Sequence, residues 1–413
     1  MSGSKTWQTP GVYVREITGF PTSVTGVATA VPVFIGHTAR ATYGSLKPTQ
    51  VSSLAEYEQN FGGAMPGFNL YESMALFFLN GGGACFVVSV GDGADGVDAA
   101  KLAAGLAAAG LQSGPTMIAM PDAVLLAPDP GSAGPGTIPT SAAFQSLIRA
   151  MLAQCGTLGD RIALFDLYGT DAIAGSKPPA DQAGIDACVA NFQKAVGDNF
   201  LSYGAAYFPF LQVATGAAGK FRLLPPSGAM AGIFTANDAT RGVWNAPANV
   251  TLSGIHDVSL KLTDAQQGPL NAPLNGKSVN AIRDFLNRND VVWGARTLDG
   301  NSNDYRYIQV RRTLIYIEQS IKTALAPFVF AANNGQTWVT VTGMISNFLE
   351  TLWVQGGLMG DKASDAFTVQ CGLGSTMTAE DILNGYMVVA VTLAMVHPAE
   401  FIELTFKQNM QGA

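Results

Sequence analysis

A chain of 413 residues with 48% hydrophobic content is long enough for two or three domains with cores of their own, which excludes a disordered protein. A net charge of −7, with no Lys or Arg between Leu102 and Ile148, argues against nucleic acid as the main partner, because phosphate binding needs clustered basic side chains. Only 13% of residues are charged, too few to solvate a monomer of this size well, so much of the exterior is expected to meet other protein.

In chain order, Val12-Tyr13-Val14-Arg15-Glu16-Ile17 follows a Pro-Gly turn and reads as an N-terminal strand. After a turn-rich stretch from Thr18 to Thr25, Val27 to Gly36 is a second strand, which Pro32 should place at a sheet edge or bulge. Ser53, with Glu56 three residues on, signals a helix to Phe61, and a second helix runs from Asn69 to Leu79, stopped by Gly81-Gly82-Gly83. Apolar strands Cys85–Val90, Met117–Met120, Ile162–Leu167 and Tyr203–Phe208 then alternate with helices Val97–Leu111, Ala142–Leu152 and Ile185–Val196. This alternation predicts a mostly parallel sheet covered on both faces. Leu223 to Leu298 carries Pro, Asn and Gly punctuation and reads as a β-rich connecting region. Beyond it lies a helix from Tyr307 to Leu325, with Leu314, Ile317, Ile321, Leu325 and Phe328 at helical spacing and Glu318 and Lys322 placed to pair. A second helix bears Trp338, Val341, Ile345, Phe348 and Leu352, and strands at Phe367–Cys371, Met387–Met395 and Phe401–Phe406 close an α+β section. The last strand alternates apolar Ile402, Leu404 and Phe406 with Glu403, Thr405 and Lys407. Strands at both ends without a sequence neighbour need partners elsewhere, since open backbone groups template aggregation.

No apolar run reaches the roughly 18 residues of a membrane span, and the first ten residues lack a signal peptide's apolar segment, so synthesis in the cytoplasm is expected. Cys85, Cys155, Cys188 and Cys371 are far apart with no C-x-x-C pair, and read as buried free thiols. Gly91-Asp92-Gly93-Ala94-Asp95-Gly96 is a literal G-x-G-x-x-G between strand and helix, and supports the alternative of a nucleotide-binding α/β enzyme. Against it, Asp92 and Asp95 would face a pyrophosphate, and no acid about 20 residues on is placed for a ribose. Asn275-Gly276-Lys277-Ser278 lacks the first P-loop glycine and is read as a turn, and Asp166, His256 and Ser375 make a triad only by imagination. Thr378 with Asp381 signals a helix start. Arg306, Arg311, Arg312 and Lys322 are either solvated or internally paired, or form a basic strip aimed at an acidic partner. No catalytic residue, cofactor or metal is expected.

Several stretches together resemble the contractile tail sheath family of phage tails, pyocins and extracellular contractile injection systems. They are Pro10–Val14 with Gly26–Pro32, Ser53–Gly62, Phe77–Val90, Pro225–Gly228, Asp238–Trp244, Val292–Leu298, Tyr307–Arg312 and Pro398–Phe401, in order over nearly the whole chain. The resemblance implies a structural subunit that stacks as hexameric rings around an inner tube and contracts to drive that tube through a target envelope. Its implied partners are further copies of itself, the tube protein, and baseplate and cap proteins, with neither nucleic acid nor membrane insertion. It implies assembly in the cytoplasm into a particle open to release. The implied architecture is an outer α/β domain over residues 46–222 and a connecting region over 223–298. An inner α+β domain over 299–413 and an N-terminal arm over 1–45 complete it, with both terminal β arms adding strands to neighbours. Val12, Tyr13, Val14 and Ile17, and Phe401, Ile402, Leu404 and Phe406, are then the interface residues, with Arg311, Arg312 and Lys322 facing the tube. Gly19–Thr25 and His397-Pro398 are the implied hinges. Gln319, and Phe330-Ala331-Ala332-Asn333-Asn334, depart from the family's usual pattern and bear on interface detail.

Overall fold

The computed structural model describes residues 23–133, 137–170, 181–214 and 220–403. The N-terminal strand and the Leu404–Phe406 part of the C-terminal strand therefore lie outside the described residues. In chain order the strands are β1 (Pro32–Gly36), β2 (Thr49–Val51), β3 (Cys85–Ser89), β4 (Met117–Ala119), β5 (Ile162–Asp166), β6 (Gly204–Phe208) and β7 (Leu211–Ala214). They continue as β8 (Phe221–Leu224), β9 (Val250–Thr251), β10 (Asp257–Val258), β11 (Asn280–Phe285), β12 (Arg288–Val292), β13 (Phe367–Gln370) and β14 (Ala390–Leu393). The helices that matter here are α1 (Leu54–Phe61), α2 (Leu70–Leu79), α3 (Ala99–Leu111), α4 (Ala142–Leu158), α5 (Gln182–Ala195), α6 (Ser227–Arg241), α7 (Asp264–Asn271), α8 (Ile308–Leu325) and α9 (Gly335–Val354).

The solidly apolar strands are buried on both faces, as their composition requires. They form a nine-stranded sheet in the order β2-β3-β1-β4-β5-β6-β11-β12-β9, parallel from β3 through β11 and antiparallel at the rims. Leu102, Phe144, Leu147, Ile185 and Phe192 from α3, α4 and α5 pack one face. Tyr57, Phe61, Met74, Met230 and Phe234 from α1, α2 and α6 pack the other. Pro32 is not at an edge: β1 lies between β3 and β4, and Pro32 is its first residue, paired with Met117. A proline that opens a strand is tolerated because the ladder has not yet begun to need its N–H. The cysteines are free thiols, with Cys85, Cys155 and Cys188 buried.

The stretch read as β-rich contains the helix α6. Its sequence, with Gly228, Gly232, Thr235, Asn237 and Thr240, is a poor helix former, and tertiary contact supplies what propensity lacks. A Cβ on Gly228 would sit 2.5 Å from the Ser73 carbonyl, and one on Gly232 would strike the Phe77 carbonyl, so α6 lies backbone to backbone on α2. Its first turn is fixed from β5, where the Asp166 carboxylate accepts the Ser227 N–H at 2.8 Å and the Ser227 hydroxyl at 2.6 Å. Burial pushes the Asp166 pKa up to about 7 from 3.8, against those two hydrogen bonds. A carboxyl that holds its proton more tightly when folded loses the fold stability as pH rises from the ordinary carboxylate range through that raised pKa. Asp166→Asn is therefore expected to flatten the decline in urea stability between about pH 4 and about pH 7, and an unchanged slope would assign the decline to other groups.

The C-terminal section has its own cluster, built from Ile317, Phe328, Val341, Met344, Ile345, Leu349 and Leu352 with Leu358 and Ala366. Residues 401–403, expected to be strand, are outside any regular element. No helix among the described residues is long and apolar enough to cross a membrane.

Candidate assembly site

Strands β13 and β14 form a separate two-stranded antiparallel sheet, with Phe367 opposite Leu393 and Val369 opposite Val391. Along both strands burial alternates, so Phe367, Val369, Val391 and Leu393 turn toward the α8–α9 cluster while Thr368, Gln370, Ala390 and Thr392 are exposed. Two strands are at best marginal alone, and each outer edge of this sheet is unpaired among the described residues.

Beside the sheet runs an apolar cleft of about 730 Å³, between Leu314, Ile321 and Leu325 of α8 and Val389, Val391 and Leu393. The α8 stripe foreseen from its spacing is thus only partly covered by the chain itself: Ile317 and Phe328 are buried, but Leu314, Ile321 and Leu325 remain half-buried along the cleft. Glu318 and Lys322 form no ion pair with each other, and Lys322 stands exposed at the cleft's rim.

The C-terminal segment leaves the body from a rigid anchor. Glu400 accepts Arg296 Nε at 2.8 Å and Nη2 at 2.7 Å, the Tyr307 hydroxyl at 2.9 Å and Asn271 Nδ2 at 2.7 Å. Burial alone would raise the Glu400 pKa, but Arg296, Asn271 and Tyr307 outweigh it and hold the carboxyl below its usual range. The clamp is therefore intact at neutral pH and is lost only on acidification through that lowered pKa. One residue later the chain is free: Phe401 is 77% and Ile402 78% exposed, large apolar side chains with no cover.

The other predicted site residues fall out differently. Val12, Tyr13, Val14, Ile17, Leu404 and Phe406 lie outside the described residues. Arg311 and Arg312, expected to face the tube, are both buried in the single chain, where each engages its own neighbours. Arg311 donates to Ser202 Oγ at 2.9 Å and its guanidinium lies 3.8 Å from the Tyr305 ring centre and 4.4 Å from that of Tyr203. Arg312 makes a two-pronged pair with Asp238 at 2.9 and 2.6 Å, donates to the Thr29 carbonyl and covers Phe234. Only Lys322 of the three is left to reach a partner.

The Gly91–Gly96 loop forms no phosphate cradle. Its amides turn inward, with Gly96 N–H on the Gly93 carbonyl and Ala94 N–H on Asp92, and the next helix end is already occupied by the Asp98 carboxylate. Asp166, His256 and Ser375 are not assembled into a triad: they engage Ser227, the Phe221 ring and the Gly372 carbonyl respectively. The Thr378–Asp381 capping box is formed. Sequence reading missed the Arg296–Glu400 clamp, although both residues lie in stretches that carried the family resemblance. Opposite charges in two such stretches were the available signal.

A family model for the phage tail sheath protein central domain matches residues 133–298, and one for the phage tail sheath C-terminal domain matches residues 301–409. No curated protein matches. Among solved structures, the contracted sheath complex of the PVC extracellular contractile injection system is 32% identical with a TM-score of 0.75, over 98% of this chain and 99% of that one. The contracted helical sheath of the anti-feeding prophage is 34% identical with a TM-score of 0.73, over 98% of this chain and 100% of that one. A sheath tail protein from Desulfitobacterium hafniense shares the fold at 12% identity, with a TM-score of 0.58 over 87% of this chain and 93% of that one.

Proposed function

The chain belongs to the contractile tail sheath family and is a structural sheath subunit, and from that premise we propose that its polymer is held by strand exchange onto the β13–β14 sheet. The observation that carries this is the unpaired two-stranded sheet beside an apolar cleft, in a chain whose own C-terminal segment leaves its anchor with Phe401 and Ile402 bare. An arm with Ile402, Leu404 and Phe406 on one side, arriving from a neighbouring copy, satisfies an open edge with backbone hydrogen bonds and fills the cleft with side chains. Val12, Tyr13, Val14 and Ile17 do the same from the other end of the chain.

In this reading subunits stack as hexameric rings around an inner tube, with residues 299–413 as the inner domain, 46–222 facing outward, 223–298 joining them and 1–45 as the N-terminal arm. The meeting of the two family models between residues 298 and 301 supports the inner boundary. Contraction is a change between two packings of one polymer, in which woven contacts persist while the bodies turn about a hinge near Gly19–Thr25 and about the segment that follows the Glu400 clamp, His397-Pro398 being held by that clamp and by Tyr307. The energy is stored in the metastable extended polymer, so the subunit needs no catalysis of its own. Assembly takes place in the cytoplasm, on a baseplate, before any release of the particle.

Val391→Asp puts a charge into the half-buried cleft, at the margin of the α8–α9 cluster rather than among its fully buried side chains. The expected result is a folded chain with unchanged circular dichroism whose sheaths, formed with the tube partner, are lost or much shortened in negative-stain images. Sheaths of wild-type length would remove this cleft from the assembly mechanism.

A further inference from the structure

Away from the assembly sheet, three carboxylates from three strands converge. Asp257 opens β10, Asp284 lies on β11 and Asp290 on β12, and one oxygen of each lies within 4.8 Å of the other two. The backbone is irregular at this point. Asp290 takes a left-handed φ of 55°, uncommon outside glycine, and the β11–β12 register shifts between Arg283 and Phe285. Two of the carboxylates are held in place by local amides, the Asp290 N–H on Asp284 Oδ1 and the Val258 N–H on Asp257 Oδ1, both at 2.8 Å.

Among the described residues, Lys261 is the side chain that forms ion pairs with this group. Lys261 Nζ stands 2.8 Å from Asp284 and 3.3 Å from Asp257, but makes no pair with Asp290. Asp290 is 9% exposed and its Oδ1 is buried with no hydrogen-bond partner, on a carboxylate that comes within 4.8 Å of the other two. Burial and the neighbouring Asp284 and Asp257 all push the Asp290 pKa up. A buried, unpaired carboxylate beside two others is costly unless something positive completes the group. Lys261 is itself 63% exposed and free to swing out.

The geometry points to a binding site for a hard divalent cation, calcium rather than magnesium, made by Asp257, Asp284 and Asp290, with Lys261 as the side chain it displaces. Calcium accepts irregular, carboxylate-rich oxygen sets, whereas magnesium demands near-ideal octahedral geometry at about 2.1 Å and dehydrates reluctantly, which three carboxylates brought from three separate strands are poorly suited to meet. Such an ion would tie β10 of the three-stranded sheet to β11 and β12 at the rim of the large one, stiffening the α/β body independently of strand exchange.

The test uses the full chain stripped with EDTA, then titrated with calcium or magnesium chloride by calorimetry and thermal denaturation. One calcium per chain is expected, with a rise in melting temperature that magnesium reproduces only weakly. Asp290→Asn should abolish both signals, and Asp257→Asn supplies the same comparison should that variant fail to fold. Lys261→Met, which removes the competing ammonium, should tighten binding roughly tenfold. Absence of heat and of a melting shift in both the wild type and Lys261→Met overturns the site, as does calcium binding that survives both aspartate substitutions unchanged.

Discussion

Removing residues 401–413 is expected to abolish sheath formation while leaving a folded monomer. Phe401 and Ile402 are 77% and 78% exposed, so the body loses no core when they go, and Glu400 stays behind in its clamp with Arg296, Tyr307 and Asn271. If the segment is exchanged between subunits as proposed, the polymer, by contrast, loses a strand at every subunit. Burying side chains such as Ile402, Leu404 and Phe406 contributes roughly 1.5–3 kcal/mol each, so the loss per contact is on the order of 5–9 kcal/mol before any backbone hydrogen bond is counted. A lattice that repeats this contact has no way to offset such a deficit. Sedimentation velocity and negative-stain microscopy of the full and trimmed chains, each with the tube partner, read the outcome. Tubes of undiminished length from the trimmed chain would show that the C-terminal arm does not weave the sheath.

Arg312→Ala is expected to destabilise the fold rather than to weaken a contact between subunits. The Arg312 and Asp238 side chains are 3% and 5% exposed, and the pair closes at 2.9 and 2.6 Å while a third bond goes to the Thr29 carbonyl. Deleting the guanidinium leaves a carboxylate buried without a counter-charge, which costs about 3–5 kcal/mol. Replacing both partners together, as Arg312→Met with Asp238→Leu, removes the stranded charge and should restore most of that stability. Chemical denaturation of the two variants checks the difference. A single variant as stable as wild type but unable to form sheaths would reinstate Arg312 as a contact to another protein.

The same residue shows how far sequence carries. Arg311 and Arg312 stand on a helix whose apolar spacing is plain, and basic residues on such a helix are ordinarily solvated. Their partners lie far off in the chain, Asp238 at 74 positions and Ser202 at 109, so no local window contains the interaction that buries them. Helix α6 was illegible for a related reason. Gly228 and Gly232 lower helix propensity locally, yet they are what lets the helix lie against Ser73 and Phe77 of α2. Pro32 misled in the opposite direction, because a proline rule about edges applies to strand interiors and Pro32 opens its strand.

The sequence by itself determined the alternating strands and helices of the large sheet and the family, since each is written in short-range periodicity and in motifs that need no partner to be recognised. Tertiary structure alone decided which charges are spent inside the body, that Glu400 clamps the root of the C-terminal arm to Arg296 across 104 positions, and that β13 and β14 form a two-stranded sheet beside an uncovered cleft. Burial and charge pairing depend on what the rest of the chain brings to a point in space, and local pattern records only what a segment offers.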